Sequence, residues 1–191
     1  MKRSLLFLAD GFEEIEALTV VDVMRRAGMD VKTVSIKDSH KVIGAHGITV
    51  EADMLIAEAD MENVEWMITP GGMPGSTHLS NCETLSRALR KHHSAGGKIA
   101  AICAAPAVVL YPLGILDGKE ATCYPGFESE CKNAVMRDAS IITSEELITA
   151  NGPATALRFA LAIVANSMGE GIAQEVGSGM LHYPRTMNFY F

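Results

Sequence analysis

The chain has 191 residues, 48% of them hydrophobic and 20% charged, with a formal net charge of −7. That balance excludes disorder and leaves ample length for the core of a single domain over 1–191. With no basic block, nucleic acid is not the expected partner, and no apolar run is long enough to cross a membrane.

Strand and helix signals alternate from the start. Arg3 to Ala9 reads as a strand. It imitates a signal peptide, but its apolar part ends at Asp10 and acids follow, too short for a leader core. Glu14 to Ala27 reads as a helix closed by Gly28 at C′. Asp30 to Ile36 is a second strand. Gly47 to Glu51 with Leu55-Ile56 suggests a short antiparallel excursion. Glu65 to Thr69 is a strand ending in Pro70-Gly71-Gly72, and Cys82 to Ala95 a helix ended by Gly96-Gly97. Ile99 to Ile102 is short and apolar, as a strand buried on both faces should be. It runs into Cys103 and a helix from Pro106 to Leu113, with proline in the first turn. Lys119 to Cys123, Ser140 to Thr143 and Leu147 to Ala150 read as short strands. Ala154 to Ser167 is a long helix, and Gly171 to Gly177 a further one. The alternation predicts an α/β fold, a parallel sheet sandwiched between helices.

Ligands of such sheets bind at the carboxyl ends of the strands. Three sharp local signals fall there: the segment Asp10 to Glu16, Pro70-Gly71-Gly72, and Ile102-Cys103-Ala104. A tight strand-to-helix turn with small neighbours lifts one side chain out of the sheet, as in a nucleophile elbow. A helix N-terminus there would bias the Cys103 thiol toward thiolate. Buried cysteines are more often plain core residues, but the coincidence of the three strand ends favours a nucleophile. Among the acids, Glu13 and Glu14 are explained by the helix dipole. Glu16, set between Ile15 and Ala17-Leu18, has two readings: the same dipole preference, or a carboxyl buried beside the thiol and protonated there. Gly71-Gly72 is either a simple turn or a place where a backbone N–H meets an oxyanion, with the Ala104 N–H as its partner.

The four cysteines, Cys82, Cys103, Cys123 and Cys131, match neither a disulfide framework nor a zinc pattern, so a reducing cytoplasm is the expected address and no metal site is expected. His92-His93 are adjacent on a helix and point apart, against a joint metal site. The closing run Met187 to Phe191 is aromatic enough to pack on the domain or on a partner subunit.

Several segments resemble the ThiJ/PfpI superfamily, within it most closely the branch of the parkinsonism-associated glyoxalase/deglycase and its bacterial ThiJ-like relatives. They are Leu8 to Glu16, Val21 to Gly28, Pro70-Gly71-Gly72, Ala100 to Pro106, Gly152 to Ala156 and Phe159 to Val164. The resemblance runs over essentially the whole chain. It implies a flavodoxin-like sandwich, a homodimer, Cys103 as reactive thiol, Glu16 as its protonated partner, and Gly72 with Ala104 as oxyanion donors. It implies a cofactor-independent glyoxalase or deglycase acting on small reactive carbonyls or glycated protein; the alternative is a redox sensor or stress chaperone that uses oxidation of Cys103.

The chain also departs from the family pattern. Ala104 stands where protease-like and amidase-like branches carry a histidine, which argues against proteolysis. Tyr124 stands where the glyoxalase branch has a histidine bordering the site; a phenol donates a hydrogen bond but is a poor base at neutral pH. His46 takes the place of the family's partner-subunit arginine, either titrating near the site or, as favoured, exposed in a loop. Cys123 is either a resolving thiol for Cys103 or, as favoured, a core cysteine at a strand end.

Overall fold

Apolar runs with side chains on alternate faces supply the spine of the fold. In the computed structural model, which describes residues 2–182, β1 (Arg3–Leu8), β2 (Val31–Ser35), β6 (Val64–Thr69), β7 (Lys98–Ile102) and β11 (Leu147–Ala150) run parallel in one sheet. The short β5 (Met54–Leu55) extends it in parallel at one edge, and β10 (Ile141–Thr143) closes the other edge antiparallel to β11. The strand order is β10-β11-β7-β6-β1-β2-β5. The expected parallel sheet and its helical cover are therefore present, as a flavodoxin-like α/β fold with one reversed edge strand.

Alternation along the strands feeds two cores. Leu6, Leu8, Trp66, Ile68, Ala100 and Ile102 face α1 (Glu14–Arg26) and α4 (Ala156–Met168). Leu5, Phe7, Met67, Ile99 and Ala101 face the opposite side, which α2 (Gly75–Asn81) and α3 (Glu83–Ser94) cover. Each of the larger side chains here is fully buried, worth about 1.5–3 kcal/mol apiece. Trp66 keeps its indole N–H satisfied by donating to Ser167 Oγ at 2.7 Å. Gly28 closes α1 as expected, at φ +79, with the Met29 N–H reaching back to the Met24 carbonyl. A last helix, α5 (Glu170–Gly179), packs on α4.

Three local expectations are corrected, and one helix is added. The antiparallel excursion is a hairpin of β3 (Lys41–Ile43) and β4 (Thr49–Glu51), whereas Leu55 joins the main sheet in parallel. Of Lys119 to Cys123 only β8 (Glu120–Ala121) is strand, paired with β9 (Val135–Met136) outside the main sheet. The helix expected over Pro106 to Leu113 is a π-helical turn, Pro106–Leu110, followed by a 3₁₀ turn, Tyr111–Leu113. Pro112 has no N–H to continue an α ladder, and Gly114 ends the segment at φ +73. The helix α2 has no counterpart in the sequence reading. The aromatic run Met187 to Phe191 lies outside the described residues.

The sheet order fixes where a site can form. The chain moves outward from β1 through β2 to β5, then returns to place β6 on the other flank of β1. The reversal lies between β1 and β6, and a crevice opens at the carboxyl ends of such strands.

Candidate active site

Three strand ends meet in this crevice. β1 ends before Gly11 to Glu13 and the start of α1; β6 ends before Pro70 to Gly72; β7 ends at Cys103. The Cys103 backbone sits at φ +64, a left-handed conformation costly for a non-glycine residue. Both its peptide groups are tied: its N–H donates to the Ala150 carbonyl at 2.9 Å, and its carbonyl accepts from the Tyr124 N–H at 2.8 Å. This is the turn predicted from Ile102-Cys103-Ala104, and it leaves Cys103 8% exposed at the strand end.

Glu16 comes from the first turns of α1 and is completely buried. Its Oε2 accepts the Gly71 N–H at 2.7 Å. Its Oε1 has no hydrogen-bond partner among the described residues. Burial pushes its carboxyl up to about 7, against the Gly71 N–H and the Cys103 thiol, while the nearby Glu13 carboxylate pushes it further up. Gly71 lies between the Cys103 and Glu16 side chains. A Cβ on it would stand 2.5 Å from Cys103 Cβ, 2.7 Å from Glu16 Oε2 and 2.9 Å from Cys103 Sγ. Only hydrogen fits there. Gly72 is at φ +89, and a Cβ on it would strike the Glu13 N–H at 2.4 Å.

The thiol itself departs from the expected thiolate bias. Burial, then the charge and hydrogen bonding of Glu16, push Cys103 up to about 12, and the N–H groups of Gly72 and Ala104 offset this only in part. The short π and 3₁₀ turns after Cys103 offer less dipole than the helix the sequence suggested. Two acids in one dry pocket cannot both ionise readily, so they titrate as a pair. With Glu16 protonated, its repulsion of a thiolate disappears and its O–H becomes a donor toward sulfur.

The remaining predicted residues fall at different distances from this centre. Ala104 follows Cys103 in the turn, its N–H on the sulfur side. Tyr124 is bonded to Cys103 through its backbone, is 45% exposed, and stacks edge-on against Phe127. Cys123 is buried with Cys131 and Ala107 in a separate small cluster, and Cys131 is the thiol that acts on it. His46 is exposed at the tip of the β3–β4 hairpin, yet anchored: its Nδ1 and its backbone N–H each bond Glu14 at 2.8 Å. Glu14 raises the His46 pKa, and His46 in turn helps hold Glu14 low against its burial.

Glu13 and Glu14 are where the sequence reading falls short. Glu13 lies at the N-cap of α1 and Glu14 in its first turn, as the dipole reading has it, but both are also buried, at 9% and 5% exposure. Glu13 donates its N–H to the Gly71 carbonyl at 3.0 Å and carries a carboxylate 3.7 Å from His46 Nδ1. Ligand-type atoms of Glu13, Glu14 and His46 lie within 4.8 Å of one another. The available signal was Gly44: a Cβ there would overlap the Glu14 carboxyl, so the hairpin glycine marks where that carboxyl docks.

A family model described as DJ-1/PfpI matches residues 2–166. The chain belongs to the DJ-1/PfpI family. It is 34% identical to Protein DJ-1 homolog B of Arabidopsis thaliana over 99% of its own length, and spans 43% of that relative. It is 31% identical to a Caenorhabditis elegans protein named glutathione-independent glyoxalase DJR-1.2, over 88% of this chain and 90% of the relative. Among solved structures it is similar to oxidized DJ-1 of Toxoplasma gondii, at 33% identity and a TM-score of 0.90, covering 95% of this chain and 99% of that one.

Proposed function

We propose that the protein is a cofactor-independent glyoxalase that converts small 2-oxoaldehydes such as methylglyoxal to 2-hydroxy acids. The observation that carries this reading is the buried Glu16 carboxyl, poised near neutrality beside Cys103 with Oε1 unpartnered. A general acid–base works best with a pKa near the working pH. The glyoxalase name of the nematode relative supports the same reading.

Glu16 as carboxylate takes the Cys103 thiol proton as the sulfur attacks the aldehyde carbon, and the carbonyl electron pair moves to oxygen. The Gly72 and Ala104 N–H groups receive that oxyanion. Glu16 gives the proton to the oxyanion, which yields the hemithioacetal and restores the carboxylate. The carboxylate then removes the proton from the former aldehyde carbon and returns it to the neighbouring carbon, while the hydroxyl proton passes from the first oxygen to the second through the enediol, leaving a thioester of the 2-hydroxy acid. Water cleaves the thioester, restores the thiol and releases lactate. Glu16 serves the thiol, oxyanion and carbon proton steps, because Tyr124 offers no base. Protein adducts of the same carbonyls are the related substrates.

The unpartnered Glu16 Oε1 also favours a second reading, a redox sensor, since a protonated carboxyl there would donate to an oxidised Cys103 sulfinate. We further infer a homodimer in the cytoplasm. Exposed Ile15 and Leu18 on α1, with Ile43 and Ile48 on the hairpin, provide apolar surface for the dimer. Light scattering at micromolar concentration that reports a monomer overturns the dimer.

The deciding assay is lactate release from methylglyoxal, without added thiol or metal, by protein freed of host glyoxalases. Wild type turns over and Cys103→Ser does not. Equal rates in the two reject the glyoxalase. Wild-type turnover at background, with graded peroxide converting Cys103 first to a sulfinic acid, establishes the sensor instead.

A further inference from the structure

Two carboxylates and one imidazole meet where the β3–β4 hairpin reaches the start of α1. Glu14 Oε2 lies 2.8 Å from His46 Nδ1, and Glu13 Oε2 lies 3.7 Å from the same nitrogen. Ligand atoms held about 2.0–2.2 Å from a first-row divalent ion stand about 2.9–3.5 Å from one another. The two observed spacings straddle that range, so small side-chain shifts bring all three atoms onto one ion. Glu14 is already oriented for it. The His46 backbone N–H holds its Oε1 at 2.8 Å and leaves Oε2 facing the ring, while Gly44 leaves room for the carboxyl. Such an outer contact fixes a ligating carboxylate in metal centres. Glu13 is 9% exposed, yet its carboxylate accepts no hydrogen bond from any described residue and faces the His46 ring nitrogen. A buried carboxylate without a donor is costly unless a charge offsets it. One imidazolium cannot offset two carboxylates, whereas a divalent cation can. The α1 dipole opposes a cation with only about half a charge. His46 is 32 positions from Glu14, so no local spacing rule for metal ligands reports the cluster.

We propose that Glu13, Glu14 and His46 form a binding site for a first-row divalent transition cation. One oxygen of each carboxylate and His46 Nδ1 are the ligands, and water completes the shell on the exposed side of the ring. His46 ligates as the neutral imidazole, so a proton on Nδ1 leaves to solvent as the ion binds. Carboxylate and imidazole donors without a thiolate suit Mn²⁺, Fe²⁺, Co²⁺ or Zn²⁺. Calcium takes oxygen ligands only and is not accommodated by the imidazole. The bound ion ties the hairpin to α1. The inference does not rest on Cys103 or on the proposed glyoxalase.

The test uses the untagged full chain, stripped of metal by a chelator and titrated with cobalt(II) chloride. Calorimetry is expected to show one ion bound per chain with a Kd below about 1 mM. The ring protons of His46 should shift or broaden in the paramagnetic complex, which locates the ion without a variant. The absorption spectrum should lack a sulfur-to-cobalt charge-transfer band, because the donors are oxygen and nitrogen. Glu13→Gln keeps the shape of the side chain and should weaken binding at least about tenfold, as should His46→Asn. Failure to take up the ion at about 1 mM overturns the proposal. A sulfur-to-cobalt band overturns it too, since the ion then sits on a cysteine. So does an affinity unchanged in Glu13→Gln, or a His46 ring that the bound ion leaves unaffected.

Discussion

Replacing Glu16 with glutamine should make the protein more stable, and more so as pH rises. Glu16 is fully buried, so its ionised form has lost its hydration. Its pKa rises from 4.5 to about 7 on folding. The folded state therefore favours the protonated acid. The wild-type stability from this group is fully present below pH 4.5 and is lost as pH climbs through about 7. At about 1.36 kcal/mol per unit, the difference amounts to about 3 kcal/mol. Glutamine keeps an oxygen for the Gly71 N–H but has no proton to lose, so it escapes this loss. Urea denaturation of wild type and Glu16→Gln from pH 4.5 to 8 should show the gap widen by about 3 kcal/mol in favour of the variant. A gap constant across that range would mean that the carboxyl is not perturbed by burial.

Three further outcomes follow from the same geometry. Glu16→Gln should lower the Cys103 thiol pKa by about 1–3 units, since a like charge is removed; a pH profile of the iodoacetamide rate checks this, and an unmoved profile means the two groups do not interact. Gly71→Ala should cost about 1–3 kcal/mol in stability from overpacking and about 10²-fold in turnover by displacing Cys103 and Glu16. Retained turnover in that variant would contradict the close approach at Gly71. Glu14→Gln should lower the His46 pKa, with the Glu13 carboxylate still holding it somewhat up, read by NMR titration of the ring protons; a His46 that titrates as before is not held by Glu14.

The parts of this molecule that the sequence discloses are those whose cause is local. A short apolar run such as Leu5 to Leu8 fits a strand covered on both faces, and glycine after Ala27 suits the end of a helix. The turn at Cys103 is local as well, because small residues follow it. What stays hidden depends on distant partners. The direction of Ile141–Thr143 is set by its pairing with Leu147–Ala150, not by its composition. The β8–β9 ribbon closes across a loop whose own residues carry no strand signal. The pairing of Glu16 with Cys103 joins the ends of β1 and β7 across β6; the residues alone left it one of two readings, and the family resemblance favoured it. The helix dipole accounts for Glu13 and Glu14 at the start of α1, but not for their contact with His46 of the β3–β4 hairpin, a distant partner.

Strain and charge are concentrated at one place, and the fold explains why it tolerates them. A left-handed cysteine costs about 1–3 kcal/mol, and a buried carboxylate costs more when ionised. Neither could persist on an exposed loop, where the backbone would relax and water would enter. Here Cys103 is clamped on one side by Ala150 of β11 and on the other by Tyr124, while Gly71 leaves no void between sulfur and carboxyl. The apolar layers beneath, from Leu8, Ile68 and Ile102, hold the three strand ends in register. Their burial offsets the local cost, and keeps water from the Glu16 carboxyl and the Cys103 thiol. A looser core would lower the Glu16 pKa first, before the fold itself failed, because hydration of the carboxyl needs only a small opening at the end of the sheet.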